Sequence, residues 1–386
     1  MRLLAVCSAV AVGLLVVSGG ARGRAGEDPG ISPTAILLGA TAPLSSADAA
    51  VARGATAYFK HVNARGGVGG RAIVYRVLDD GGDPGLALQA TRRLIEQDRV
   101  FALVGSVGTE QNLAARDYLN AARVPQLFAA SGAAALGDFR RAPWTIGFQP
   151  SHRFEGWVYG RYLSRARPDA RVAVLFQDDD YGRELLAGLR EGISATKARV
   201  VATQGYVAGV FNVQAQAARL KASGANVLAL FATARVATQA LAVWRPGLVI
   251  LAADGRPSRV GEGALSLGFL KEPSEPRWRQ DPALRLYRTL MARHATGANA
   301  GDVRHVWGMA IAYQTVKLLR AAGESPTRAS VRARLSRLDD PSNPFLLPGI
   351  EVETSATERL PLERAQLRRF TGGRWRAFGG LWSYRG

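Results

Sequence analysis

The chain has a single cysteine among its 386 residues, and this residue, Cys7, lies in the first apolar stretch. The apolar run from Leu3 to Val17 follows Arg2 and precedes small residues, which is the order of a secretory leader. With about 15 residues it is shorter than the ~20 that a bilayer span needs, so a cleaved signal peptide over residues 1–25 is predicted. Cleavage would remove the only thiol, which excludes disulfides, cysteine nucleophiles and zinc–cysteine sites from the mature chain.

Histidine and the common catalytic motifs are also scarce. The four histidines are His61, His152, His294 and His305. Their spacing is not typical of metal ligands, and we interpret them as surface or helix-face residues. No H-E-x-x-H, P-loop or G-x-S-x-G motif occurs, and no base is placed by the sequence beside the loop serines Ser45, Ser106 and Ser131. The sequence therefore predicts no enzyme, no metal and no cofactor.

Lysine occurs at only five positions, so arginine supplies nearly all of the formal net charge of +19. A strongly basic chain can bind nucleic acid. Here the arginines are scattered along predicted helices, neither clustered nor interleaved with aromatic residues, and a leader precedes them. We therefore expect no nucleic-acid partner, and we expect solvated arginine-rich faces on a protein exported to the periplasm or the cell exterior.

A regular alternation of strand and helix patterns is present instead. The stretch Val100–Gly137 contains an apolar run, a turn with Gly105 and Gly108, a helical apolar repeat and a second apolar run at Val124–Phe128. This pattern predicts a βαβ unit whose turns lie at the carboxyl ends of parallel strands, where ligands bind. The Thr109 hydroxyl and the free N–H groups at this helix start suit a carboxylate or another small anion.

The alternation begins near Ala35 and starts again at Arg171, with the buried-strand pattern RVAVLF. It predicts an α/β fold of two doubly wound, Rossmann-like lobes. Two helical patterns follow at Asp281–His294 and Val303–Ala322, and a terminal hairpin turns at Gly372-Gly373. The segment Gly263–Pro282 is interpreted as irregular.

Five segments of the chain resemble one known family. They are VPQLFAASGA (Val124–Ala133), PWTIGFQPS (Pro143–Ser151), VAVLFQDDDYGRELLAGLREG (Val172–Gly192), LKASGANV (Leu220–Val227) and LLPGIEVETS (Leu346–Ser355). In this order they are similar to type I periplasmic binding proteins of the branched-chain amino-acid, or Leu/Ile/Val-binding, class. Members of this class are substrate-binding proteins of ABC transporters, and the similarity runs from about Ile36 to Phe378.

The resemblance implies two lobes joined by three crossovers, with the ligand clamped between them. The crossings are expected near Gln149–His152, Gly255–Val260 and Asn343–Leu347. Lobe 1 would then comprise residues 31–150 plus 256–343, and lobe 2 residues 151–255 plus 344–386.

The resemblance also implies ligand-binding residues. Thr109 matches the hydroxyl that binds the ligand carboxylate, and a helix cap is the alternative. Ala130, Ser131 and Gly132 match a second carboxylate-facing turn, for which an ordinary βα turn is the alternative. Tyr181 matches the aromatic residue of the opposite lobe that covers the apolar part of the ligand, with packing at a helix start as the alternative.

Further candidates follow from the same resemblance. Asp254 matches the acidic position that pairs with an amino-acid ammonium, although it could also be a cap or turn residue. Phe148 and Gln149 at the first crossing are candidates for lining the cleft, and core packing is the alternative for Phe148. Thr233 and Arg256 lie near cleft positions without matching a defined contact.

The chain departs from the family pattern in its first loop. Pro43-Leu44-Ser45-Ser46 runs almost directly into the first helix, and the tyrosine of the family pattern is missing. Ser45 or Ser46 is expected to replace the lost contact. A second tyrosine, near Thr233, is also absent. Both losses weaken the assignment to branched-chain amino acids specifically, and leave a small carboxylate-bearing apolar solute, such as a hydrophobic amino acid or an aromatic acid.

The resemblance thus implies an exported, monomeric receptor that closes on a small-molecule ligand and delivers it to ABC permease subunits in the membrane. A sensory receptor of the same fold is the alternative, since fold alone does not decide function. Neighbouring permease and ATPase genes would favour import, and a neighbouring histidine kinase gene would favour sensing.

Overall fold

The computed structural model of the chain describes residues 28–194, 196–253 and 260–384. The first sheet begins near the start of the first of these ranges. Among these residues it has five parallel strands in the order β2-β1-β3-β4-β5. Its elements are β1 (Ala35–Ala42), α1 (Ala49–Asn63), β2 (Ala72–Asp79), α2 (Pro84–Glu96), β3 (Ala102–Val104), α3 (Thr109–Ala121), β4 (Gln126–Ala129) and β5 (Thr145–Gly147). A 3-10 turn at Ala134–Leu136 follows β4. Since β1, β3 and β4 are adjacent and parallel, the turns that follow them meet at one edge of the sheet.

The second sheet has seven strands within the described residues, in the order β14-β13-β10-β9-β8-β6-β7. Strands β6 to β10 pair in parallel, and the terminal hairpin adds two antiparallel strands at one edge. Its elements are α4 (His152–Ala166), β6 (Arg171–Gln177), α5 (Asp180–Ile193), β7 (Arg199–Tyr206), α6 (Gln214–Ala222), β8 (Val227–Phe231), α7 (Ala234–Val243), β9 (Leu248–Leu251), β10 (Leu265–Gly268), β13 (Arg364–Thr371) and β14 (Arg374–Ser383).

The segment between β10 and β13 returns to the first lobe. It contains α8 (Pro282–His294), α9 (Val303–Ala321), α10 (Arg328–Arg334), β11 (Asp339–Asp340) and β12 (Val352–Glu353). Side chains from α8 and α9 share one buried cluster with β1, α1 and β3. The second lobe has separate buried clusters on the two faces of its sheet, one under α4 and α5 and the other under α6 and α7. Each lobe therefore has its own hydrophobic core.

Local sequence explains where several helices begin. Asp83 accepts a hydrogen bond from the Leu86 N–H at the start of α2, and Asp281 accepts one from Leu284 at the start of α8. In both helices a proline follows the capping aspartate, and proline is well suited to the first helical position. Ser151 caps α4 in the same way through the Phe154 N–H.

The predicted α/β fold of two doubly wound lobes is confirmed, and the chain division differs from the prediction in two places. Strand β10 was assigned to lobe 1, but it pairs with β9 and β13 of the second sheet. Residues Phe345 to Leu362 were assigned to lobe 2, but their apolar side chains belong to the buried cluster of the first lobe. The second crossing therefore follows Gly268, and the third lies between Leu362 and Arg364.

The first of these differences, the position of β10, has a physical reason. The pattern LSLG of β10 is too short to stand out from an irregular segment, and its pairing with β13 joins residues about 100 positions apart. None of the described helices is both long and apolar enough to cross a bilayer. The predicted signal peptide, with Cys7, falls outside the described residues.

Candidate functional site

The two lobes contact each other through the helix starts at the carboxyl ends of their strands. Glu184 on α5 of the second lobe accepts a hydrogen bond from the Ala134 N–H of the first lobe, at 3.1 Å. In the opposite direction, Glu110 on α3 accepts one from the Asp180 N–H, which begins α5, at 3.3 Å. Each lobe therefore places a carboxylate on a backbone N–H of the other lobe. For Glu110 this N–H begins α5, where the helix dipole favours a negative charge.

Beside these contacts, three polar side chains form a buried cluster. The Thr109 hydroxyl lies 2.7 Å from the Ser131 hydroxyl. The Nε2 atom of His152 lies 3.2 Å from Thr109 Oγ1 and 3.4 Å from Ser131 Oγ. We refer to Thr109, Ser131 and His152 as the hydroxyl–imidazole cluster. Their exposed fractions are 9%, 3% and 0%, so the cluster lies inside the protein.

Tyr181 of the second lobe closes the other side of this cluster. Its ring meets the His152 ring edge to face, with the centroids 5.0 Å apart. Tyr181 is itself buried. The His152 imidazole thus lies between two hydroxyls of the first lobe and an aromatic ring of the second lobe.

Burial determines the protonation state of this histidine. Because its ring is removed from water, the pKa of His152 is lowered to about 3, so the imidazole is neutral at physiological pH. A neutral imidazole has one donor and one acceptor nitrogen. Nε2 faces the two hydroxyls, whereas Nδ1 has no hydrogen-bond partner among the described residues.

Two glycines make this arrangement possible. Gly108, at φ +100°, is the residue before α3, so Thr109 is the first helical residue and its hydroxyl makes no cap. A Cβ on Gly132 would collide with the Pro150 carbonyl, because the loop after β4 packs directly on the first crossing. The His152 N–H donates to the Gly132 carbonyl at 3.0 Å across this approach. Because Gly108 and not Thr109 precedes the first residue of α3, and the Thr109 hydroxyl makes no capping hydrogen bond, the alternative interpretation of Thr109 as a helix cap is wrong.

The structure brings together some of the predicted site residues and separates others. Thr109, Ser131 and Tyr181 surround His152, and Ala130 and Gly132 flank Ser131 in the same buried turn. Phe148 is not a cleft residue. It is fully buried in the core of the first lobe, where its ring meets Phe128 edge to face at 5.5 Å.

The remaining predicted residues lie at the margin of the site. Ser45 and Ser46 are exposed on the loop after β1, and Ser46 bonds within its own turn. Thr233 is exposed at the start of α7, and its N–H donates to the Tyr206 hydroxyl. Asp254 and Arg256 lie outside the described residues.

A small cavity of about 30 Å³ lies between the lobes beside the crossings. Its lining comes from both lobes, and includes Gln149, Ala253, Leu267, Arg304, Trp307 and Arg368. Gln149 is buried, and neither polar atom of its side-chain amide has a hydrogen-bond partner among the described residues. The prediction that Gln149 faces the space between the lobes agrees with this position, and a space of this size admits water-sized molecules.

The contact between the lobes is rich in acidic groups. Burial raises the pKa of Glu184 to about 7, and the charges of Asp180 and Glu110 add to this effect. The hydrogen bond from the Ala134 N–H and the charge of Arg153 oppose it. Burial also raises the pKa of Glu110. Among the described residues, no group of three metal-ligating side chains forms a metal site.

Comparison with known proteins identifies the family. The sequence profile described as periplasmic binding protein matches residues 35–359. The chain belongs to the periplasmic binding protein family. The matched residues lie in both lobes of this family member. They include Thr109, Ser131 and His152, the three residues of the hydroxyl–imidazole cluster.

Curated relatives of this periplasmic binding protein are similar over part of their length. The chain is 25% identical over 197 residues to an amino acid binding protein of Pseudomonas aeruginosa, which covers 50% of this chain and 52% of that protein. It is 26% identical over 205 residues to the Leu/Ile/Val-binding protein homolog 2 of Brucella abortus. This alignment covers 52% of this chain and 54% of that protein. The chain thus spans about half the length of the curated relatives it matches. These relatives are named as binding proteins.

Solved structures share the fold of this periplasmic binding protein over nearly its whole length. A branched chain amino acid ABC transporter protein from Thermus thermophilus with bound valine aligns with a TM-score of 0.79 and 19% identity, over 91% of this chain and 96% of that one. A solute binding protein from R. palustris in complex with benzoate aligns with a TM-score of 0.72 and 18% identity, over 91% and 98%. These alignments confirm the type I fold of two lobes.

Sequence reasoning missed three residues of the site in this periplasmic binding protein. His152 was interpreted as a surface or helix-face histidine, but it is fully buried, as is nearly all of His305. The position of His152 at the end of the predicted first crossing, Gln149–His152, was the only available signal. Glu110 and Glu184 were not singled out, because acidic residues in the first turns of helices are common on solvated surfaces.

Proposed function

We propose that the chain is the extracytoplasmic substrate-binding subunit of an ABC importer, and that it captures a small, partly apolar solute with a carboxylate group. One observation carries this proposal. A pair of hydroxyls, Thr109 and Ser131, stands at adjacent turns of the first lobe and faces the aromatic ring of Tyr181 in the second lobe across the His152 position. Hydroxyls at a helix start suit a carboxylate, and an aromatic ring suits an apolar group.

Capture would proceed by closure of the lobes. Each lobe has its own core, so the two can move as bodies about the crossings. Only a closed arrangement unites Thr109 and Ser131 with Tyr181, so a solute that contacts all three binds the closed form better than the open form. This differential binding is what shifts the population toward closure.

The family and its solved members support this assignment. The valine-bound and benzoate-bound proteins share the fold and are named as parts of ABC transporters. Valine and benzoate both combine a carboxylate with an apolar group, which is the solute chemistry proposed here. We expect permease and ATPase genes beside this one, and an exported chain released by removal of residues 1–25.

The test is a thermal-shift screen of the chain without residues 1–25 against aliphatic amino acids, aromatic acids and short amides. A solute present at 100 times its Kd adds about 2.7 kcal/mol to the free energy of unfolding and raises Tm accordingly. Methyl esters or primary amides of each active acid serve as matched probes that lack the carboxylate. A panel in which no acid raises Tm, or in which esters act as well as acids, would contradict the proposed function.

A further inference from the structure

The His152 ring occupies the position where the proposed solute carboxylate would bind. Its Nε2 atom lies within hydrogen-bond distance of both Thr109 Oγ1 and Ser131 Oγ, at 3.2 and 3.4 Å. An imidazole nitrogen and a carboxylate oxygen both accept hydrogen bonds from hydroxyls. The two groups therefore compete for the same pair of hydroxyls.

The ring also makes the second contact expected of a solute. Tyr181 of the second lobe meets it edge to face, with centroids 5.0 Å apart. The same side chain thus joins hydroxyls of the first lobe to an aromatic ring of the second lobe. A residue that bridges the lobes in this way stabilises their closed arrangement without any solute.

The hydrogen bonding of His152 within this cluster is incomplete. Nδ1 of His152 is buried and has no hydrogen-bond partner among the described residues, and an unpaired buried polar atom is costly. In addition, a neutral imidazole accepts a weaker hydrogen bond than an ionised carboxylate does. Since the pKa of His152 is strongly lowered by burial, the buried ring is in this neutral form. A carboxylate can therefore displace the ring.

We propose that His152 is an internal competitor of the solute, which occupies the carboxylate position of this protein and leaves it when an acid binds. In this role His152 lowers the affinity for carboxylates and holds the lobes together in the absence of solute. The effect on affinity rests on the proposed function. The effect on closure does not, because it depends only on contacts within the chain.

The experiment compares His152→Ala and His152→Gln with the unchanged chain. His305→Ala is the matched control, because His305 is also buried but lies on α9 with its Nδ1 beside the Asp302 carbonyl, outside the hydroxyl–imidazole cluster. The chain lacking residues 1–25 contains no cysteine, so spin labels can be attached to one exposed residue in each lobe, through Thr296→Cys and Lys221→Cys. Calorimetry with the acid that gives the largest thermal shift reports affinity.

Without added solute, we expect the distance distribution between the labels to shift toward longer distances in His152→Ala. We expect the acid to bind His152→Ala at least ten times more tightly than the unchanged chain, and His305→Ala to match the unchanged chain in both measurements. His152→Gln retains a polar side chain, so it keeps the variant folded and gives an intermediate result.

Two results would overturn the inference. One is an unchanged distance distribution together with an unchanged Kd in both His152 variants. The other is weaker binding of the acid to His152→Ala, which would make the imidazole a contact of the solute and not its competitor. If no acid binds any variant but His152→Ala still opens the lobes, the proposed function fails and the role of His152 in closure stands.

Discussion

The Glu184 carboxylate of the second lobe accepts a hydrogen bond from the Ala134 N–H of the first lobe, with Oε1 at 3.1 Å and Oε2 at 3.2 Å. This contact exists only when the lobes are together. It also buries the carboxylate near Glu110 and Asp180, and these surroundings raise its pKa to about 7. Closure and proton binding are therefore linked at Glu184.

The sign of this linkage follows from the raised pKa. If opening of the lobes returns the Glu184 carboxyl to water, it titrates there near its ordinary value of about 4.3. The closed form retains a proton that the open form has lost between this value and about 7. Protonation of Glu184 therefore stabilises the closed form. This contribution is fully present below the open-form pKa of about 4.3 and is lost as the pH rises through the closed-form pKa of about 7.

We thus predict a larger closed fraction at pH 5 than at pH 8, measured by the distance between spin labels in the two lobes. Glu184→Gln should reduce this pH dependence, because a glutamine does not titrate. The residual dependence would come from Glu110, whose pKa is raised in the same direction. Glu191→Gln is the control, since Glu191 lies on the same helix but pairs with Arg153 of its own lobe. Equal pH dependence in Glu184→Gln and the unchanged chain would contradict the prediction.

Replacement of Thr109 by alanine tests the carboxylate position. A hydrogen bond to a charged group contributes about 1.5–3 kcal/mol, and the neutral bond to His152 that is lost with it about 0.5–1.5 kcal/mol. Since the second loss favours the solute, we expect Thr109→Ala to weaken acid binding by about 1–2 kcal/mol in calorimetry. Thr238→Ala, on an exposed residue of α7 in the second lobe, should leave Kd unchanged. An unaltered Kd in Thr109→Ala would place the carboxylate elsewhere.

Replacement of Tyr159 by phenylalanine tests how the second lobe is held at the crossing. The Tyr159 hydroxyl lies 2.8 Å from Glu155 Oε1 and 2.9 Å from the Leu251 carbonyl, and it accepts a hydrogen bond from the Leu267 N–H. All of these groups are buried, so Tyr159→Phe leaves polar atoms unsatisfied. We expect a loss of about 1–3 kcal/mol in the free energy of unfolding, measured by urea denaturation.

The control for this variant is Tyr162→Phe on the same helix. The Tyr162 hydroxyl accepts a hydrogen bond from Arg369 near the surface, where water can replace the lost partner. Its removal should change stability by less than about 0.5 kcal/mol. Equal losses in the two variants would mean that the buried network does not stabilise the lobe.

The contact between α1 and α9 gives a further prediction. A Cβ on Gly54 would collide with the His305 carbonyl, and a Cβ on Gly308 would collide with the Val51 carbonyl. The backbones can separate only by disrupting the core of the first lobe. We expect Gly54→Ala to lower the free energy of unfolding by about 1–3 kcal/mol, as overpacking does. Gly247→Ala, where a Cβ meets open space, should be close to neutral, and an equally neutral Gly54→Ala would contradict the close approach.

Much of the fold could be predicted from local patterns. Strand β1 begins at Ala35, where the alternation of strands and helices was predicted to begin, and the hairpin turns at Gly372-Gly373, where both residues have positive φ. These features depend on hydrophobic periodicity and on turn chemistry, which a short stretch of sequence contains in full. Strand β10 could not be predicted in the same way, because its short pattern becomes a strand only through pairing with β9 and β13.

The candidate site likewise has features that the local sequence determines and features that only the tertiary structure determines. The sequence by itself determined the two lobes, the turn that carries Thr109 and the second turn that carries Ser131, because each depends on residues adjacent along the chain. Only the tertiary structure decided that His152 lies between these hydroxyls and Tyr181, and that Phe148 belongs to the core. The contacts of His152 with Ser131 and Thr109 join residues 21 and 43 positions apart on different lobes. They depend on how the crossings orient the lobes, which local periodicity does not encode.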